Sequence, residues 1–167
     1  MTVSIRRMNL DDVPAVHRID QASFSLPWSE RSFRYEIQEN RISRCWVAVE
    51  NEQVVGMLVL WLIEDEAHIA TIATHPDHRR RGIGEILLIE ALSQVESEGA
   101  TRAFLEVRVG NLGAQAMYAK FGFTQDGYRK QYYKDNNEDA LLLSLDDIPG
   151  MLSHLQMNKN NLKVERS

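Results

Sequence analysis

Cysteine is almost missing from this chain. Cys45 is its single thiol, so no internal disulfide can form, and its neighbours Trp46 and Val47 suggest a small buried side chain, not a nucleophile. Long apolar runs are missing too. None approaches the roughly 18 residues of a membrane span, and the stretch Thr2-Val3-Ser4-Ile5-Arg6-Arg7 lacks the apolar core of a signal peptide. A cytoplasmic protein without a membrane partner is the expectation. Nor is there an excess of positive charge: 19 Lys+Arg against 24 Asp+Glu give a formal net charge of −5, so no global basic field exists to attract nucleic acid. No internal repeat or low-complexity linker divides the 167 residues, which suit a single domain over residues 1–153, with the polar stretch 154–167 read as a frayed tail.

What is present is a regular alternation of strand and helix patterns. Residues 3–7 read as a strand, and residues 9–22 as a helix whose Val13, Val16 and Ile19 share a face with Phe24 beyond it. After the break at Pro27, Ser29 is placed to cap a second helix carrying Phe33 and Ile37. Residues 44–50 and 53–63 form a predicted hairpin around Asn51-Glu52, and a further strand over 67–74 stops at Pro76. From Ile83 the stripe Leu87, Leu88, Ala91, Leu92 and Val95 predicts a helix that ends near Gly99. In the strand at 103–109, Leu105, Val107 and Val109 alternate with Phe104, Glu106 and Arg108. Asn111 can cap the next helix, with Ala114, Met117, Tyr118 and Phe121 on one stripe, and residues 123–134 and 139–145 read as a closing hairpin. The order is β α α β β β α β α β β, a mixed α/β layer structure.

The most informative segment lies between the fourth strand and the third helix. Arg79-Arg80-Arg81-Gly82-Ile83-Gly84 puts cations and glycines at a helix start, where unpaired N–H groups and the helix dipole favour phosphate oxygens. Two familiar phosphate motifs fail here. A P-loop needs Lys-Ser or Lys-Thr after its second glycine, and Glu85-Ile86 stands there instead; a dinucleotide fingerprint needs a small residue where Leu87 stands. The surviving pattern, Arg-x-x-Gly-x-Gly after a strand, resembles the acyl-CoA pyrophosphate loop of the GNAT superfamily of N-acetyltransferases.

A second block strengthens that resemblance. Leu105-Glu106-Val107-Arg108, Asn111, Met117-Tyr118 and Phe121-Gly122-Phe123 are similar to the RimI-type members, bacterial enzymes that acetylate the N-terminal alanine of a small-subunit ribosomal protein. Tyr132-Tyr133, Glu138-Asp139-Ala140 and Pro27-Trp28-Ser29-Glu30 match the same group. The resemblance implies a mostly antiparallel central sheet flanked by helices, acetyl-CoA as co-substrate, no metal, and as acceptor a protein N-terminus, such as that of a ribosomal protein. It assigns the cofactor to the backbone of Ile72, Ala73 and Thr74, to Arg79, Arg80, Arg81, Gly82, Ile83 and Gly84, and to the Asn111 side chain. Thr71-Ile72-Ala73-Thr74 departs from the commoner Asn-Ile-Ala-Val wording, which affects side-chain contacts and leaves backbone ones intact.

The chemistry adds its own demands. Amide formation from a thioester requires a neutral amine and a proton for the departing thiolate. With a pKa of about 8, roughly a tenth of an α-amine is neutral near pH 7, against about 0.04% of a lysine of pKa about 10.4. A modest base therefore suffices for a protein N-terminus. Glu106 on the polar face of its strand is the candidate base, acting through water, a role the resemblance also assigns to it; that Tyr118 is the acid near the CoA sulfur is what the resemblance implies. Each has a plain alternative: Glu106 as the ion-pair partner of Arg108, Tyr118 as an ordinary core aromatic. Trp28, Tyr132 and Tyr133 resemble positions that wall the peptide groove in this group, or else are hairpin and loop packing residues. A lysine or small-amine acetyltransferase, and a non-catalytic acyl-CoA sensor, share the cofactor loop and remain open at this point.

Overall fold

Residues 2–166 are described by a computed structural model, with side chains described through residue 157. Seven strands form one sheet in the order β1-β2-β3-β4-β5-β7-β6, built from β1 (Ser4–Arg7), β2 (Ser43–Glu50), β3 (Gln53–Ile63), β4 (Glu66–Thr74), β5 (Arg102–Arg108), β6 (Thr124–Arg129) and β7 (Ala140–Leu145). All neighbours are antiparallel except β4 and β5. Helices α1 (Val13–Ser23) and α2 (Glu30–Gln38) cover one face, and α3 (Ile83–Glu96), α4 (Leu112–Lys120) and α5 (Ile148–Arg166) the other.

Strand β3 explains why 53–63 is apolar on both phases of its alternation. Leu58 and Leu60 enter the core beneath α3, whereas Met57 and Val59 enter the core beneath α1 and α2. Each phase meets a helix layer. On α3, Leu87, Leu88, Leu92 and Val95 are fully buried at helical spacing, each contributing about 1.5–3 kcal/mol by transfer from water. Gly99, at φ +104°, turns the chain out of that helix as expected. Ser29 Oγ accepts the Ser32 N–H at 3.1 Å, and Asn111 Oδ1 the Ala114 N–H at 3.1 Å, so both expected caps form.

The structure departs from the sequence expectation at three places. The helix foreseen over 9–22 begins as a 3-10 turn at Leu10–Asp12, capped by Asn9, because Pro14 enters the first turn of α1 and lacks an N–H. The long strand foreseen over 123–134 ends at Arg129: Gln131 is left-handed at φ 51° and its N–H donates to Asp139 Oδ1 at 2.8 Å, outside the ladder. The stretch 154–167 is not a frayed tail as far as Arg166; it continues α5, whose Met151, Leu152 and Leu155 pack on the α3-side core. Too few apolar residues carry that stripe for the sequence pattern to stand out.

One irregularity in the sheet shapes everything that follows. Strands β4 and β5 pair only through Glu66–Arg102, Ala67–Ala103 and His68–Phe104. Beyond His68 the two strands part, so the β4 edge from residue 69 onward is open toward β5.

Candidate active site

The parted strands open a cleft of about 670 Å³ between β4, β5, the N-terminus of α3 and the first turns of α4. Ile72, Ala73 and Thr74 line it from β4. Their edge lacks a partner strand on this side, leaving main-chain donors and acceptors for a ligand.

The turn into α3 supplies further donors. The first main-chain bond of the helix runs from Ile86 N–H to the Gly82 carbonyl at 3.1 Å, so the N–H groups of Ile83, Gly84 and Glu85 have no main-chain acceptor. Gly82 holds φ +79° and offers no capping side chain. Arg80 is also left-handed, at φ 62°, a conformation that costs a non-glycine residue free energy and clusters at functional turns. A Cβ on Gly84 would stand 3.4 Å from the Met117 sulfur, so glycine lets the α3 terminus approach α4. Gly82, Gly84 and Arg80 all border the cleft; the Ile83 side chain is buried in the core, which leaves only its backbone to face a ligand.

The three arginines do not act alike. Arg79 braces the turn, donating to the Thr74 carbonyl at 3.1 Å and to Ser23 Oγ at 3.1 Å, while still bordering the cleft. Arg81 corrects the expectation that all three face the phosphate: its guanidinium binds both oxygens of Glu50, at 3.0 and 2.8 Å, and does not border the cleft. The β2 carboxylate is the nearer anion. Arg80 alone forms no hydrogen bond or ion pair among the described residues.

Glu106 and Tyr118 border the same cleft, from β5 and α4. Glu106 is exposed and has no ion-pair or hydrogen-bond partner among the described residues. Its expected alternative partner, Arg108, is engaged elsewhere, with Asp135 at 3.0 Å and Glu138 at 3.3 Å. Tyr118 is 3% exposed, and its hydroxyl makes no hydrogen bond among the described residues. Burial, reinforced by neighbouring Tyr133, holds its pKa above the usual phenol range, so the ring retains its proton. Asn111 borders the cleft beside these two, its Oδ1 spent on the cap and its amide nitrogen left as a donor.

Trp28 and Tyr133 face the cleft, but Tyr132 does not. Tyr132 turns outward to Arg129, whose guanidinium carbon lies 5.6 Å from its ring centre, and meets Tyr133 edge-on. Tyr133 lies under Arg108, 3.9 Å from ring centre to guanidinium carbon, and burial pushes its pKa up to about 12, Arg108 opposing the shift and Tyr132, Glu106 and Glu138 adding to it.

Sequence reasoning missed two parts of this rim. Asp20, only 1% exposed, borders the cleft and accepts the Trp28 N–H at 2.6 Å, fixing the loop after α1. Burial raises its pKa above the ordinary carboxylate value, the Trp28 N–H and His17 opposing the shift. Ser25 hydrogen-bonds to Asp135, so the loop after α1 is fastened to the β6–β7 loop and, through Arg108, to β5. Only Asp20 had a local signal, a carboxylate on the last turn of an amphipathic helix. Among the described residues, no group of three or more His, Cys, Asp or Glu is arranged to hold a metal ion, and no helix is long and apolar enough to cross a membrane.

Known proteins are similar to this chain in sequence and fold. A Bacillus subtilis (strain 168) protein, provisionally named as a ribosomal protein bS18-alanine N-acetyltransferase, is 39% identical over 140 residues, which is 84% of this chain and 93% of that one. The ribosomal protein bS18-alanine N-acetyltransferase of Escherichia coli (strain K12) is 31% identical over 144 residues, covering 85% of this chain and 96% of the relative. A crystal structure of the E. coli ribosomal-protein-S18-alanine N-acetyltransferase superposes with a TM-score of 0.79 at 30% identity, over 86% of this chain and 93% of that one. The pattern of the acetyltransferase (GNAT) family matches residues 13–123, and with it the chain belongs to that family.

Proposed function

We propose that this enzyme transfers acetyl from acetyl-CoA to the α-amine of a protein N-terminus, and that its acceptor is an N-terminal alanine of a ribosomal protein. One observation carries the reading: Glu106 and Tyr118, each without a partner of its own, border one cleft on two different elements, with unpaired main-chain donors beside them. Relatives at 31–39% identity bearing the bS18-alanine acetyltransferase name support the choice of acceptor.

Bound acetyl-CoA supplies an activated acetyl thioester. The N–H groups of Ile83, Gly84 and Glu85 suit its pyrophosphate, with Arg80 adding charge, and the open β4 edge at Ile72, Ala73 and Thr74 suits its amide-bearing arm. Arg79 and Asn111 complete that wall. Glu106 takes a proton from the acceptor ammonium, directly or through water, leaving the amine lone pair free to attack. Tyr118 gives its proton to the departing thiolate and is restored by the proton that the attacking nitrogen sheds as the amide forms, its raised pKa keeping the phenol protonated before and after. No enzyme nucleophile is used; burial raises the Cys45 thiol pKa, opposed mainly by the Ser43 hydrogen bond, and Cys45 does not border the cleft.

Trp28 and Tyr133 wall the acceptor end. The test is acetylation of short alanine-initiated peptides, free or blocked at the N-terminus, followed by intact mass. Modification of free peptides only is expected; equal modification of blocked lysine peptides overturns the choice of amine, and tight CoA binding without any turnover overturns catalysis.

A further inference from the structure

Trp28 borders two hollows. Besides the main cleft, it lines a cavity of about 340 Å³ with Arg31, Ser32, Tyr35 and Glu36 of α2. Glu36 is only 8% exposed. Its Oε2 accepts both the Trp61 indole N–H at 3.1 Å and an Asn40 amide hydrogen at 2.8 Å, while Oε1 accepts nothing among the described residues. That oxygen is not among the buried unpartnered atoms, so it is open to a donor arriving from outside the chain. The chain's own cation does not: Arg31 is exposed and forms no ion pair among the described residues.

Aromatic side chains flank Glu36: Trp61 donates to it, and Trp28 and Tyr35 line the cavity with it. Trp28 lies over Trp61 with ring centres 6.4 Å apart and planes 9° apart, and Tyr35, 54% exposed, stands at the rim. Aromatic faces around one carboxylate are the chemistry that recognises an ammonium or guanidinium. We propose that this cavity is a subsite for a lysine or arginine side chain in the N-terminal segment of the acceptor protein. The subsite rests on the reading of the acceptor as a protein N-terminus. It shares Trp28 with the main cleft, and an extended chain advances about 3.3 Å per residue, so the candidate occupant is a residue within the first few after the N-terminus.

Alanine-initiated glycine–serine peptides with a single lysine moved along the positions after the first test this. One lysine position is expected to lower the peptide KM about tenfold against the lysine-free peptide, the effect of a partly desolvated cation–aromatic contact with a carboxylate. Glu36→Gln keeps an acceptor for Trp61 and Asn40 but removes the charge, and is expected to abolish that KM ratio without altering the KM for acetyl-CoA. Tyr35→Ala, at an exposed position, is expected to reduce the ratio. A ratio of one in the unaltered enzyme, or one that survives Glu36→Gln, overturns the subsite. Tryptophan-fluorescence titration with the acetylated peptides reads the same preference without turnover. An enzyme that acetylates no peptide N-terminus therefore sinks the proposed function, while the subsite is still decided by the titration.

Discussion

The two walls of the cleft are made of different material. The cofactor wall is largely main chain: an unpaired strand edge and three free N–H groups at a glycine turn. The wall that we assign to the acceptor is made of side chains on loops distant in sequence, fastened through Asp20–Trp28, Ser25–Asp135 and Arg108 with Asp135 and Glu138. A main-chain wall constrains conformation and tolerates many side chains. A side-chain wall constrains identity, and its substitution changes what is accepted.

The sharpest way to break this comparison is to strike where the walls meet. Glu106→Gln and Tyr118→Phe should each lower kcat by about 10²–10⁴ with the KM for acetyl-CoA unchanged, since each removes a proton-transfer group and no binding contact. Steady-state kinetics decides it, and an unaltered kcat in either variant removes that residue from the chemistry. Next in size is Gly82→Ala, which meets nothing within 4 Å but forces a Cβ into φ +79°. A left-handed residue costs about 1–2 kcal/mol, so the KM for acetyl-CoA should rise about tenfold while peptide KM stays put.

A smaller, opposite effect is expected on the other wall. Arg108→Met unfastens the β6–β7 loop from β5 and should raise peptide KM severalfold, leaving the KM for acetyl-CoA alone; a change in both would mean that the walls are not separable. Smallest is a pH effect at Asp20. Its folded-state pKa is raised, so the folded protein holds that proton more tightly than the unfolded chain, and stability falls as pH climbs above the ordinary value of 3.8. Asn at this position keeps an acceptor for Trp28 and has no proton to lose. Melting temperatures of Asp20→Asn should therefore gain on those of the unaltered protein from acid to neutral pH, and a gap that shrinks instead contradicts the assignment.

The same contrast explains what was legible in the sequence. The cofactor wall is local: Pro76, Gly82, Gly84 and the stripe from Leu87 to Val95 lie in one continuous stretch, so strand, turn and helix could be read together. Asn111 was equally plain, because a cap acts three residues away. The acceptor rim is not local. Ser25 and Asp135 are 110 residues apart in the chain, and nothing in either neighbourhood announces the other. Arg81 misled for a related reason: its run of three arginines reads as one patch, whereas Glu50, 31 residues earlier, claims one of them. Tyr132 and Tyr133 read as a pair, and only the loop's path separates inward from outward.

The short pairing of β4 with β5 has a thermodynamic consequence. A sheet that stops bonding after His68 and Phe104 is an incomplete ladder, and a ligand whose amides occupy the gap becomes part of the folded structure itself. Binding energy is then folding energy. Acetyl-CoA at about 100 times its dissociation constant should stabilise the native state by about 2.7 kcal/mol, raising the melting temperature with concentration. Amide protons along residues 69–74 should slow their exchange with solvent as the missing rungs are filled.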